Sequence, residues 1–378
     1  MIKYNTIYGL IAWLLATATV AQNKIIFDGQ IIGLATYSFQ DELNVLNAIR
    51  YLPELNYIVP IDSTKKIDFE AAANVYGSVL WHPFDSAVTN SNVLPYRLWT
   101  RYSTKQFEIR AGLQKIDFGS ATLLRPMQWF NQIDPRDPLQ LTNGVYGLLG
   151  RYYCLNNANI WLWTLYGNDK TRGFDVVKTN KKYPEMGGRI QYPVPKGELA
   201  VAYHYRIANT MDMPFVNQIE RIPEHRIGLD AKWDLKIGLW FEATFVHKTK
   251  NIGVFTNQIL GNIGADYTFG IGNGVHFMTE HLIANFYENK LNLNQAMHIT
   301  ACTLSYPIAL FDNVSVIAYQ NWETTDITLL VNYQHQFKKI TSYLMAYYNP
   351  TTQQGIQQND LSNQLNGAGL RLMLVFNH

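Results

Sequence analysis

The chain has 378 residues and a formal charge of +2, with 31 Lys and Arg against 29 Asp and Glu. A dedicated nucleic-acid binder carries a marked basic excess, so that class is excluded and no nucleic acid is expected as a partner. Charged residues make up only 16% of the chain while Tyr, Phe and Trp reach 13%, and beyond the N-terminal segment no apolar run is long enough for a membrane-spanning helix.

The first segment carries Lys3, a short apolar run Ile7–Leu15 and the small-residue stretch Ala16–Ala21. That is the pattern of a cleavable export signal, too short to span a bilayer. Residues 1–21 are therefore expected to be a signal peptide and 22–378 a single domain beginning at Gln22. No Cys follows the apolar run, so no lipoprotein anchor is expected. Export, low charge, abundant aromatics and no spanning helix together fit an outer-membrane barrel in contact with lipid.

Alternation with a period of two then recurs along the chain. Phe27–Tyr37 and Leu46–Val59 alternate poorly. Ile67, Phe69, Ala71, Ala73 and Val75 alternate with Asp68, Glu70, Ala72, Asn74 and Tyr76. In Phe107–Ile116, Phe107, Ile109, Ala111 and Leu113 share one face, and Glu108, Arg110, Gly112 and Gln114 the other. The same pattern returns over 198–206, 226–233, 237–245 and 370–376. Each segment has about the ten residues a tilted strand needs to cross a bilayer, and helical periodicity is almost absent.

Connections alternate short and long. Short ones fall at Ser103–Lys105, Leu155–Asn157, Val194–Gly197, Asp234–Leu235 and Phe337–Lys338, and long ones at Leu80–Leu94, Asp117–Gly144, Asn168–Met186, Asn209–Glu224 and Asn349–Asn366. Short periplasmic turns and long outer loops belong to outer-membrane barrels. The fold expected is all-β, a closed antiparallel transmembrane barrel of about eighteen strands, within sixteen to eighteen, with both termini periplasmic. Asp117–Gly144 is the third long loop, expected to fold into the lumen.

Residues expected to face the lumen are Asp68, Glu70, Arg97, Arg101, Glu108, Arg110, Arg151, Arg189, Arg206, Arg226, Lys232, Glu242 and Arg371. Such charges set the ion preference of a pore, or pair across strands and fill it. The loop adds Arg125, Asp134, Arg136 and Asp137, with Trp129 and Phe130 between them, stiffened by Pro126, Pro135 and Pro138. These groups could stack a sugar ring or grip a carboxylate at a constriction, or fix the loop as a plug. Arg110 and Arg151, on the strands bracketing the loop, are expected to accept Asp134 or Asp137.

Catalytic and cofactor signatures are missing. No Ser or Thr beside a His forms a recognisable nucleophile motif, and no cofactor site is expected. Gly270–Gly274 is a hairpin turn rather than a phosphate loop, because no helix follows it. His276, Glu280 and His281 invite a metal reading, but Glu280 and His281 point to opposite faces of a strand, so no metal is expected. Cys154 and Cys302 lie far apart in strand-like contexts, leaving open whether they pair.

Within Arg110–Asp137 the pattern R-x-G-x-Q-x-I-x-F-G, followed by P-x-x-W-F and D-P-R-D, resembles one found in porin-like outer-membrane barrels, including alginate-export-type proteins. Phe118 stands where Trp is more usual. The resemblance implies a non-enzymatic barrel in the outer membrane of a Gram-negative bacterium, passing small polar or oligosaccharide-like solutes. The alternative is an accessory or scaffold subunit of an outer-membrane complex, binding protein partners.

Overall fold

The computed structural model describes residues 24–39, 44–81, 87–214, 216–350 and 367–378. The expected signal peptide, 1–21, lies outside them. Among the described residues eighteen antiparallel strands close into a barrel. They are β1 (Lys24–Ser38), β2 (Asn44–Pro60), β3 (Lys66–Trp81), β4 (Val88–Ser103), β5 (Phe107–Gln114), β6 (Val145–Tyr153), β7 (Asn159–Leu165), β8 (Glu185–Val194) and β9 (Gly197–Asn209). The ring continues with β10 (Ile222–Asp234), β11 (Gly238–Lys248), β12 (Asn257–Phe269), β13 (Val275–Tyr287), β14 (Met297–Ala309), β15 (Asp312–Asn321), β16 (Ile327–Gln336), β17 (Ile340–Asn349) and β18 (Gly367–Asn377). Each strand pairs with the next, and β18 pairs back onto β1 from Gln30↔Asn377 to Ser38↔Gly369. A two-residue ladder, Lys178–Thr179, adds to the end of β9 from the loop after β7.

The pleat sorts side chains as the sequence pattern requires. In β18, Leu370, Leu372 and Leu374 are 44–46% exposed on the outside, while Arg371, Met373 and Val375 are 5% exposed or less on the inside. In β10, Ile227 and Leu229 face out and Arg226 and Asp230 face in. An apolar belt outside and polar groups within is the arrangement a lipid-embedded barrel needs. The turns at the end that carries residue 24 and the C-terminus are short, such as 195–196, 235–237, 270–274 and 310–311. The connections at the opposite end include 115–144, 166–184 and 210–221. Gly270–Gly274 is a turn as expected, with Gly272 and Gly274 in the left-handed region that glycine enters freely.

One expectation changes. The segment Leu80–Leu94 is largely strand, because β3 runs to Trp81 and β4 starts at Val88; its run of Asn, Ser and Thr hid a paired ladder. β1 and β2 alternate poorly because Ile32, Leu34 and Leu52 put apolar residues on the inner face as well as the outer. Ile32 and Leu52 join Leu330, Tyr343, Met345, Met373 and Val375 in a cluster covered by Leu139 and Leu141 of the long loop. Ala202 of β9, on the inner face, is packed in a core cluster. Cys154 and Cys302 are both free.

The register carries a stability test. In a bilayer, Ile227→Arg should cost about 2–4 kcal/mol, while Ser315→Arg on the inner face should cost well under half of that. Urea unfolding from lipid vesicles measures both. Equal costs would show the register to be wrong.

Candidate functional site

The segment 115–144 leaves β5, enters the interior and returns to β6. Gly112 makes the departure feasible: its φ is 121°, and a Cβ there would meet the Leu98 carbonyl oxygen at 2.2 Å. Inside, the segment is fixed to the wall by two carboxylates. Glu280 of β13 accepts the backbone N–H groups of Thr122 at 2.6 Å, Leu123 at 3.1 Å and Leu124 at 2.7 Å. It also accepts Trp240 Nε1 at 3.0 Å and Asn262 Nδ2 at 3.3 Å. Glu242 of β11 accepts the N–H groups of Ala121 at 2.7 Å and Met127 at 3.2 Å. Gly119, with φ 104°, lets the chain pass where a Cβ would press on the Glu242 carboxylate. Backbone donors withdrawn from water need such acceptors, and charged acceptors bind them strongly.

Apolar contacts hold the same segment on several sides. Ile116, Met127, Trp129 and Phe130 pack with Val145, Leu149, Trp163, Leu165 and Ala202 of β6, β7 and β9. Leu123 and Leu124 pack with Leu260, Leu282, Ala284 and Ala301 of β12–β14. On the way back, Arg97 Nη2 of β4 donates to the Thr142 carbonyl at 3.1 Å. β13 and β4 stand nine strands apart in a ring of eighteen, so the segment is tied to diametrically opposite walls.

The D-P-R-D motif is a self-contained pair of turns. Asp134 accepts the N–H of Arg136 at 2.9 Å, and Asp137 those of Leu139 and Leu141 at 3.0 and 3.1 Å. Pro135 and Pro138 follow their Asp as turn-forming residues do. Burial pushes the Asp137 carboxyl above its ordinary range, against the pull of those two N–H groups. Arg136 closes on Asp134 through Nε and Nη2, both at 3.0 Å, and reaches Asn349 of β17 at 3.2 Å. Asp134 and Asp137 are therefore bonded within the loop. The expectation that Arg110 or Arg151 accepts them is corrected: those arginines converge on Glu108, at 3.0 and 3.7 Å. Glu108 is only two residues from Arg110, on the same strand face, which makes it the nearer partner.

The other expected residues separate into two places. Arg101, Arg110, Arg151 and Glu108 form a cluster near the short-turn end, with Arg101 also on Asp68 at 2.8 Å. Arg110 lies 4.5 Å over the Trp99 ring and Arg151 3.9 Å over Trp161. Arg97, Arg125 and Arg136 serve the loop; Arg125 Nη2 meets Asp117 at 2.5 Å and its Nε meets Gln128 at 3.0 Å. Trp129 is 4% exposed and edge-to-face with Phe118, so its ring packs the core rather than facing a solute.

A buried ionic network continues beneath the connection 166–184. Arg206 holds Glu224 at 2.6 Å and Asp175 at 3.0 Å, Arg226 holds both at 2.7 Å, and Lys248 meets Glu224 at 3.5 Å. Arg189 pairs with Asp230, and Glu185 receives Arg172 and His204. Sequence reasoning missed Glu280 as a loop anchor. Its only visible signal was a carboxylate on the polar face of a strand, which does not say what lies opposite. His276 turns to Asp266 at 3.1 Å and His281 to Thr300 on the outer face, so the three residues do not converge. Among the described residues no group of three or more metal-ligating side chains forms.

No family model matches the sequence, and no curated protein does. Solved structures do match in fold. OccK7 (OpdD) of Pseudomonas aeruginosa has a TM-score of 0.57 at 11% identity, covering 95% of this chain and 99% of that one. OccK5 (OpdH) of the same organism gives 0.56 at 12%, covering 94% and 97%. An anion-selective porin from Comamonas acidovorans gives 0.51 at 9%, covering 94% and 100%. The chain thus has the porin fold, a closed antiparallel barrel of eighteen strands.

The anchoring predicts a loosened loop when Glu280 is changed. Glu280→Ala leaves three loop N–H groups without an acceptor, each worth about 1–3 kcal/mol when buried. Limited thermolysin digestion in detergent should then cut before Leu123 or Leu124, with the β-sheet circular dichroism unchanged. A loop as resistant as wild type would show that Glu280 does not hold it.

Proposed function

We propose that the protein is a porin-like outer-membrane channel for passive passage of small polar or oligosaccharide-like solutes, narrowed by residues 117–144. One observation carries this: the loop is bonded to Glu280 on one wall and to Arg97 on the wall opposite, so it crosses the interior. Such a loop sets the bore of a barrel this wide. In this reading both termini are periplasmic, lipid surrounds the outer belt, and no chemistry is catalysed. The likeness of Arg110–Asp137 to alginate-export-type barrels supports passive transport in the same sense. Lumen-facing Arg101, Arg110 and Arg151 stand against Glu108 and Asp68, a mixed-charge lining that suits small polar solutes.

Single-channel recording in a planar bilayer tests the proposal. The wild type should conduct, and replacing Leu124–Leu139 by a short Gly-Ser linker should raise conductance several-fold while the barrel stays folded. Arg110→Glu should shift ion preference toward cations. The accessory-subunit reading is favoured by a specific feature, the packing of the loop against several walls at once. A wild type that never conducts, beside a loop-replaced variant that does, would establish that reading over the channel.

A further inference from the structure

The rim of the barrel at the long-loop end is uneven. β2, β3 and β4 have 17, 16 and 16 residues, whereas β5, β6 and β7 have 8, 9 and 7. β3 pairs with β4 up to Leu80↔Val88. β5 pairs with β4 only over Leu98–Ser103. Val88–Pro95 is therefore a strand with one edge satisfied, and among the described residues no backbone group bonds to its other edge. All eight residues are exposed, Val93 by 69%. The stretch carries no charged residue. Natural edge strands are guarded by charge, by proline or by shortness; here the only guard is Pro95 at the base.

A cavity of about 210 Å³ lies where this edge meets the low rim. Leu94 and Pro95 form one bank, Tyr146 and Lys170 line the other, and Leu113 and Phe130 lie between. Lys170 is exposed and makes no ion pair among the described residues. Its neighbours are already matched: Asp169 with Lys181 at 3.2 Å, and Arg172 with Glu185 at 3.6 Å. The notch thus offers an open main-chain edge, a pocket of mixed polar and apolar lining for one side chain, and a single unmatched positive charge.

We propose that this notch is a strand-addition site for an extended segment of a second protein, uncharged along the edge and carrying one acidic residue opposite Lys170. The open edge would supply main-chain hydrogen bonds and the cavity side-chain selection, the division found wherever a peptide extends a sheet. A lipid chain is the poorer occupant, because it leaves the strand's N–H and C=O groups without partners and meets the amides of Asn131, Gln132 and Asn143 in the cavity wall. The cavity borders the interior loop through Phe130, Asn131, Gln132, Asn143 and Gly144, but the proposal rests on the β4 edge and Lys170 and does not depend on the channel reading.

The test uses the full chain in detergent and a fluorescein-labelled peptide, acetyl-Thr-Val-Thr-Val-Asp-Val-Thr-Val-amide, followed by fluorescence anisotropy. It should bind at least tenfold more tightly than the peptide with Lys in place of Asp. N-methylation at alternate residues along one edge of the peptide should abolish binding. Lys170→Glu should reverse the order of the Asp and Lys peptides, with unchanged circular dichroism. Absence of binding overturns the proposal, as does equal binding of the N-methylated peptide or an order that Lys170→Glu does not change. Concentration-dependent self-association that the peptide fails to displace assigns the notch to a second copy and also overturns it.

Discussion

A chain that enters a barrel must find partners for every backbone group it brings in. Five N–H groups between Ala121 and Met127 find two carboxylates, Glu242 and Glu280, on strands two apart in the ring. Much of the interior follows from that placement. Leu123 and Leu124 are set against β12–β14 because their own N–H groups are held there. Trp129 and Phe130 then fall against β7, and the remaining chain turns through Asp134 and Asp137 before reaching β4. A carboxylate suits the task better than a neutral acceptor. It takes several donors at once and strengthens each bond in surroundings poor in water.

The outer half of the fold was legible because it obeys one rule. Every second residue meets a different medium, so β3, β10, β11 and β18 declare themselves by alternation. The long-short rhythm of connections gave the strand number even where alternation failed. Failure came where the inner face is not polar. Ile32, Leu34 and Leu52 look inward onto Leu139 and Leu141, so β1 and β2 carry apolar residues on both faces and resemble buried strands of a soluble protein. The period-two signal reports the contrast between two environments, and a loop that brings its own apolar surface into the lumen erases the contrast.

The same limit governed the charged residues. Sequence placed Arg97, Arg101, Glu108, Arg110 and Arg151 inside the barrel, and the pleat puts them there. It could not pair them, because a cross-strand partner depends on register and a loop partner depends on the path of the loop. Glu108 wins Arg110 and Arg151 by proximity along and across neighbouring strands. The aspartates of D-P-R-D are consumed by their own turns. This second outcome was readable in principle: Asp followed by Pro, with free N–H groups two residues on, is a local turn signal before it is a long-range ion-pair signal.

Local closure of D-P-R-D also explains how one segment can serve opposite walls. Asp134, Arg136 and Asp137 are satisfied within a few residues, so this part of the loop arrives as a formed unit that asks little of the wall beyond Asn349. The stretch before it, 120–127, has no such internal acceptors and must borrow Glu242 and Glu280. The loop is therefore rigid in one half by its own turns and in the other by the barrel. Length drawn into the interior also bears on the rim: the backbone leaves the sheet after Gln114 and turns inward instead of climbing beside β4. β4 is then left taller than its neighbour, with an edge that nothing else in the described chain covers. Interior loop and open edge are two consequences of one early turn at the top of β5.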